Sequence, residues 1–91
     1  MRLTSIAVGL AVGLAAATQA ADRSRTVRAE FMRQQPCPST GATRGPCPGW
    51  QVDHIEALVC GGRDELRNLQ WLQVQQHREK TRVEVKLCRG R

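Results

Sequence analysis

Residues 52–77, VDHIEALVCGGRDELRNLQWLQVQQH, contain both histidines of the 91-residue chain. The run from Trp50 to Val59, with Trp50, Val52, Ile55, Leu58 and Val59 as its apolar positions, reads as a strand. A polar loop follows from Val59 to Arg67, marked by Gly61-Gly62, and Leu69-Gln70-Trp71-Leu72 then reads as a second strand able to pair back on the first. Alternation is imperfect around Asp53-His54. Neighbours on a regular strand point to opposite faces, so both residues can serve one site only if the strand ends or bulges there. From Val74 to Leu87 the period becomes helical, and Val74, His77, Thr81, Val85 and Cys88 share one face at three- and four-residue steps. His77 therefore points toward the hairpin. Thr81, Val83 and Val85 are poor helix formers, so this helix depends on packing, and Gly90 is its expected stop.

Toward the N-terminus, Met1-Arg2, the apolar run Ile6–Ala17 and the small-residue ending Thr18-Gln19-Ala20 read as an export signal over residues 1–20, cleaved after Ala20. A membrane anchor is the competing reading, but a span needs about 20 apolar residues and no basic stop-transfer cluster follows. No membrane association is expected of the mature chain. Residues 21–91 suffice for one domain, and removal of Arg2 takes the formal charge from +6 to +5. So small a domain buries little apolar surface and needs covalent or metal staples.

Cys37, Cys47, Cys60 and Cys88 all fall in the exported part, where disulfides persist. Four cysteines permit three pairings, and sequence alone does not choose among them. The expectation is Cys37 with Cys47, whose arms are stiffened by Pro36, Pro38, Pro46 and Pro48, leaving Cys60 to bond Cys88. Each bridge is worth about 2 to 4 kcal/mol. A four-cysteine zinc site is disfavoured because no pair shows C-x-x-C spacing.

The segment DRSRTVRAEFMRQQ, residues 22–35, sets Val27 and Phe31 four apart among Arg23, Arg25, Arg28 and Arg33, which suggests a short amphipathic helix ending before Pro36. Arg28 and Arg33 here, with Arg78 and Arg82 on the second helix, are the basic residues expected to meet nucleic acid phosphates; singly, each also fits an ordinary solvated charge. Residues 36–49 are turn chemistry, with no catalytic role assigned. Trp50, Trp71 and Phe31 read as core rather than as base-stacking platforms.

Asp53-His54, Asn68 and His77, with 13 residues between the first histidine and the asparagine and eight between the asparagine and the last histidine, resemble the HNH endonuclease motif. The Pro-Cys-Pro-Gly, Cys-Gly-Gly and Asn-Leu-Gln-Trp segments are similar to those of small exported bacterial HNH proteins, over about residues 28–88. The resemblance implies an α+β protein with a ββα-metal (His-Me finger) fold, preceded by a short helix and stapled by disulfides. It makes His54 the general base, Asp53 and His77 the ligands of one divalent metal ion, and Asn68 the residue that holds the loop and the base in position. Colicin-type members carry a further metal-binding histidine four residues after the last motif histidine, where this chain has Thr81. One carboxylate and one imidazole suit Mg²⁺ or Mn²⁺ better than a tight zinc site, with Ni²⁺ or Zn²⁺ still able to bind.

Elementary chemistry agrees with those roles. A neutral imidazole has an unperturbed pKa near 6.5 and is a ready base, whereas an amide cannot titrate and is suited to orienting its neighbours. Two protein ligands leave an ion open to water and phosphate oxygens. The expected activity is hydrolysis of DNA phosphodiesters with little sequence preference by a monomer, no inhibitor partner being specified; with no room for a recognition domain, phosphate contacts position without specifying sequence. The alternative is a non-catalytic, disulfide-stapled basic module that binds nucleic acid and has no use for Asp53, His54, Asn68 and His77 together.

Overall fold

A computed structural model describes residues 24–89. The expected export segment, residues 1–20, and Gly90 lie outside the described residues. The described residues fold as α+β, with two α-helices and one two-stranded antiparallel sheet. Among the described residues no helix is long and apolar enough to cross a membrane.

The first helix, α1, covers residues 24–34. Val27 and Phe31 lie on its inner face, and Pro36, which has no N–H to offer, prevents its continuation. Phe31 and Met32 are buried, and the Phe31 ring packs on Trp71 with centroids 5.6 Å apart. The Trp71 indole N–H donates to the Gln35 carbonyl at 2.7 Å, giving an acceptor just beyond the helix end a partner. A loop then folds on itself: the Cys37 N–H donates to Ala42 O, the Ser39 hydroxyl donates to Pro48 O at 2.7 Å, and a disulfide joins Cys37 to Cys47.

Strands β1 (Trp50–His54) and β2 (Leu69–Gln73) pair antiparallel, with Asp53 opposite Gln70 and His54 opposite Leu69. β1 is shorter than its apolar run suggests. Beyond His54 the chain bends and enters a 3-10 turn, Leu58–Cys60, leaving Ile55, Leu58 and Val59 largely exposed. The physical reason is Asn68, whose side chain takes up the backbone groups of Glu56 that a longer strand would have paired.

Helix α2, Val74–Cys88, follows β2 without an intervening residue, and the Val74 N–H donates to Gly49 O at 3.1 Å. Cys88, buried at its far end, bonds Cys60 in the turn after β1. The two disulfides thus have the pairing expected from the sequence. The buried apolar set among the described residues is small (Phe31, Met32, Cys37, Leu69 and Cys88), so the two bridges stand in for a larger core.

Candidate active site at the end of the hairpin

Asp53, on β1, is only 5% exposed, although a buried carboxylate is costly unless partnered. Its partners come from both neighbouring elements. Gln70, opposite it on β2, donates to Oδ2 at 3.0 Å, and Lys80 of α2 places Nζ 3.1 Å from the same oxygen. The other oxygen, Oδ1, faces His77 Nε2 at 3.6 Å. That separation is too long for a hydrogen bond.

Lys80 is held by three acceptors, since it also donates to the His54 carbonyl at 2.7 Å and pairs with Glu84. Burial alone lowers the pKa of its ammonium, but the hydrogen bonds and charges of Glu84 and Asp53 outweigh burial and raise it above the ordinary 10.5. The side chain is therefore a fixed positive charge at the base of the site.

His54 is the last residue of β1. Its Nε2 lies 2.8 Å from Asp64 Oδ1, and the His54 side chain is 12% exposed. A carboxylate only accepts, so in the neutral ring Nε2 carries the proton and Nδ1 keeps the basic lone pair.

The segment between His54 and β2 is closed by one amide. Asn68 Oδ1 accepts from the Glu56 N–H at 2.9 Å, while its Nδ2 donates to Glu56 O at 3.0 Å and to Arg63 O at 2.7 Å. The Ile55 N–H donates to Asn68 O at 2.8 Å, so both backbone and side chain of Asn68 hold the base of the loop. Within it Gly61 adopts φ +96°, and a Cβ on Gly62 would meet Glu56 O at 1.9 Å. Only glycine lets the chain pass that close.

Asp53, His54 and His77 line one cleft of about 270 Å³, together with Arg28 of α1 and with Thr81 and Glu84 of α2. Comparison with family models, with curated proteins and with solved structures finds no match. What the site can do is set by its own atoms. Three of the four expected site residues thus converge on the cleft, and the fourth, Asn68, shapes the loop behind it. Thr81, four residues after His77, presents a hydroxyl side chain to the same cleft. Among the described residues no group of three or more His, Cys, Asp or Glu side chains is gathered as a metal cluster; what the cleft offers is the pair Asp53 and His77.

Of the four arginines expected at a nucleic acid surface, Arg28 lines the cleft. Arg33 is tied to Glu30 and Arg82 to Glu79, and Arg78 is exposed on α2. Sequence reasoning missed Asp64, Lys80, Gln70 and Glu84. Gln70 and Lys80 carried a legible signal: one is the cross-strand neighbour of Asp53, and the other lies three residues after His77 on the same side of α2.

Proposed function

We propose that this protein is an exported, metal-dependent endonuclease of the HNH type, in which the hairpin and α2 form a ββα-metal unit that hydrolyses phosphodiesters of DNA with little sequence preference. The observation that carries this reading is the convergence of Asp53 Oδ1 and His77 Nε2, 3.6 Å apart, on a cleft that His54 also lines. Metal–ligand distances of about 2.0 to 2.2 Å put adjacent ligands of one ion about 3 to 3.5 Å apart, so a carboxylate and an imidazole at this separation fit a shared divalent cation with little movement. Asp53 would bind through Oδ1 alone, because Oδ2 is engaged by Lys80 and Gln70. A bound ion supplies Lewis acidity at the scissile phosphate and the leaving oxygen.

The remaining work falls to the side chains. His54 Nδ1 takes the proton of the attacking water, and Asp64 fixes the tautomer that makes this possible and stabilises the imidazolium as it forms. Lys80 neutralises part of the negative charge of Asp53 and Glu84 beneath an anionic substrate. Arg28 supplies a cation on the α1 side of the cleft for the phosphodiester backbone. Export to the periplasm or medium agrees with the two disulfides, which persist in an oxidising compartment.

The deciding experiment is digestion of plasmid DNA by the oxidised protein over a series of divalent metals, beside His54→Ala. Metal-dependent cutting that the variant lacks is expected. Retardation of the plasmid without cutting, across all metals, would leave a binding module instead.

A further inference from the structure

A second groove, of about 340 Å³, shares Arg28 and Val52 with the catalytic cleft. Its walls come from α1, from the hairpin and from the proline-rich loop closed by the Cys37–Cys47 bridge, and they carry two indoles, Trp50 and Trp71, and three guanidinium groups, Arg28, Arg33 and Arg44. The two indoles are not equivalent. Trp71 is committed to the fold, packed at a tilt against Phe31 and donating to Gln35 O, whereas the half-buried Trp50 makes no ring contact or side-chain hydrogen bond among the described residues. The arginines divide likewise. Arg33 is paired with Glu30, while Arg28 and Arg44 have no carboxylate partner among the described residues.

We infer that this groove is a subsite for one unpaired nucleobase, stacked on Trp50, with the flanking phosphates of the same strand held by Arg44 on one side and Arg28 on the other. A nucleobase is flat and apolar on its faces and carries an anion before and after it. An indole and two guanidinium groups that have no carboxylate partner among the described residues, lining one groove, are complementary to that pattern, as in proteins that bind single strands. The volume lies at the lower end of the about 300 to 1,000 Å³ usual for small-ligand pockets, enough for a base but with bases of an intact duplex unable to enter. Because Arg28 lines both cavities, a strand seated on Trp50 with a phosphate on Arg28 would enter the cleft that His54 lines. This last step rests on the endonuclease reading, and it makes single-stranded or locally opened nucleic acid the favoured substrate.

The proline-cysteine loop thereby acquires a function. The Ser39 hydroxyl bond to Pro48 O, the bond from the Trp50 backbone N–H to Cys47 O at 3.2 Å and the disulfide hold the Arg44 wall in place before any strand arrives. Less entropy is then lost on binding.

The test measures binding without cleavage, in oxidised His54→Ala protein free of metal, by indole fluorescence and by anisotropy of a labelled octathymidylate. Three competitors are compared: an abasic octamer of equal charge, a hairpin duplex and inorganic polyphosphate. Octathymidylate is expected to quench the fluorescence and to bind more tightly than all three. Trp50→Ala should weaken it by roughly 5- to 100-fold, with Trp50→Phe recovering much of the loss. Arg44 sits in an exposed loop, so Arg44→Ala, which cannot disturb the core, should also weaken binding and lower its salt dependence. Equal binding of the abasic octamer, tighter binding of the duplex or the polyphosphate, or affinity unchanged by both Trp50→Ala and Arg44→Ala would overturn the inference. Failure of the wild type to cut either plasmid or single-stranded DNA with any divalent metal defeats the endonuclease reading without touching these affinities, so the two are judged separately.

Discussion

Asp64 Oδ1 lies 2.8 Å from His54 Nε2, across a loop whose ends are held together by the amide of Asn68. That contact assigns the ring's tautomer and leaves Nδ1 as the available base. Replacing Asp64 by Ala should lower the turnover rate about 10- to 100-fold with little change in KM, and Asp64→Asn, whose carbonyl still accepts from Nε2, should lose less. Long-range nitrogen–proton spectra of the imidazole should show a single Nε2-protonated form in the wild type and a mixture in Asp64→Ala. An identical tautomer pattern in both would count against the role given to Asp64.

His54→Ala should abolish cutting, a loss of at least about 10²- to 10⁴-fold, while circular dichroism and both disulfides stay as in the wild type. His77→Ala should instead raise the concentration of metal needed for half-maximal activity. Chelation should stop cutting by the wild-type protein, with recovery on adding Mg²⁺ or Mn²⁺. Undiminished cutting by chelated protein would be incompatible with a cation shared by Asp53 and His77.

Asn68→Asp is expected to be worse than Asn68→Ala. The alanine leaves the Glu56 N–H and the Glu56 and Arg63 carbonyls without this partner, at about 1 to 3 kcal/mol. The aspartate adds a carboxylate against two carbonyl oxygens that need a donor. Chemical denaturation of the three proteins at neutral pH gives the order directly; Asn68→Asp as stable as the wild type would contradict the clamp.

Lys80→Met should cost about 1 to 3 kcal/mol, less than the about 3 to 5 of a fully buried pair because the lysine side chain is 24% exposed. The folded protein holds this ammonium above its ordinary 10.5, so the pairing contributes in full below that pH and is lost as the pH rises through the folded value. For metal-free protein, the stability difference between wild type and variant should stay level from about pH 7 to 9 and shrink above about 10.5. A difference that grows with alkalinity would show the sign to be wrong.

Reducing Cys60–Cys88, which spans a sequence separation of 28, should cost about 3 to 4 kcal/mol, and Cys37–Cys47, with a separation of 10, about 2.5 to 3. Neither loss is small beside so few buried apolar side chains, so the protein should unfold and stop cutting in thiol reagent. On the proposed nuclease reading, a copy retained in a reducing cytosol would then spare its host's genome. Full activity after reduction would refute this.

Much of this arrangement was legible in the residues alone. The three- and four-residue steps from Val74 to Cys88 locate α2 and turn His77 inward, because helical periodicity is a property of the local chain. The strand limit was not legible. Ile55, Leu58 and Val59 look like a continued β1, yet the backbone there is captured by Asn68, twelve residues beyond Glu56, which no local pattern reveals. Asp64 escaped for a similar reason: in a run as polar as Arg63-Asp64-Glu65 an acidic residue reads as solvated, and only loop closure brings it to His54. The Trp50 expectation was half right, since the ring is part of the wall without being fully enclosed.

The absence of any residue between β2 and α2 has a thermodynamic corollary. With no hinge between the strand opposite Asp53 and the helix bearing His77, the jaw proposed to receive a cation is already set when the chain folds. Little ordering then accompanies ion uptake. Its calorimetric signature should be dominated by released hydration water and not by a stiffening backbone, and amide exchange along α2 should be nearly the same with the ion as without it.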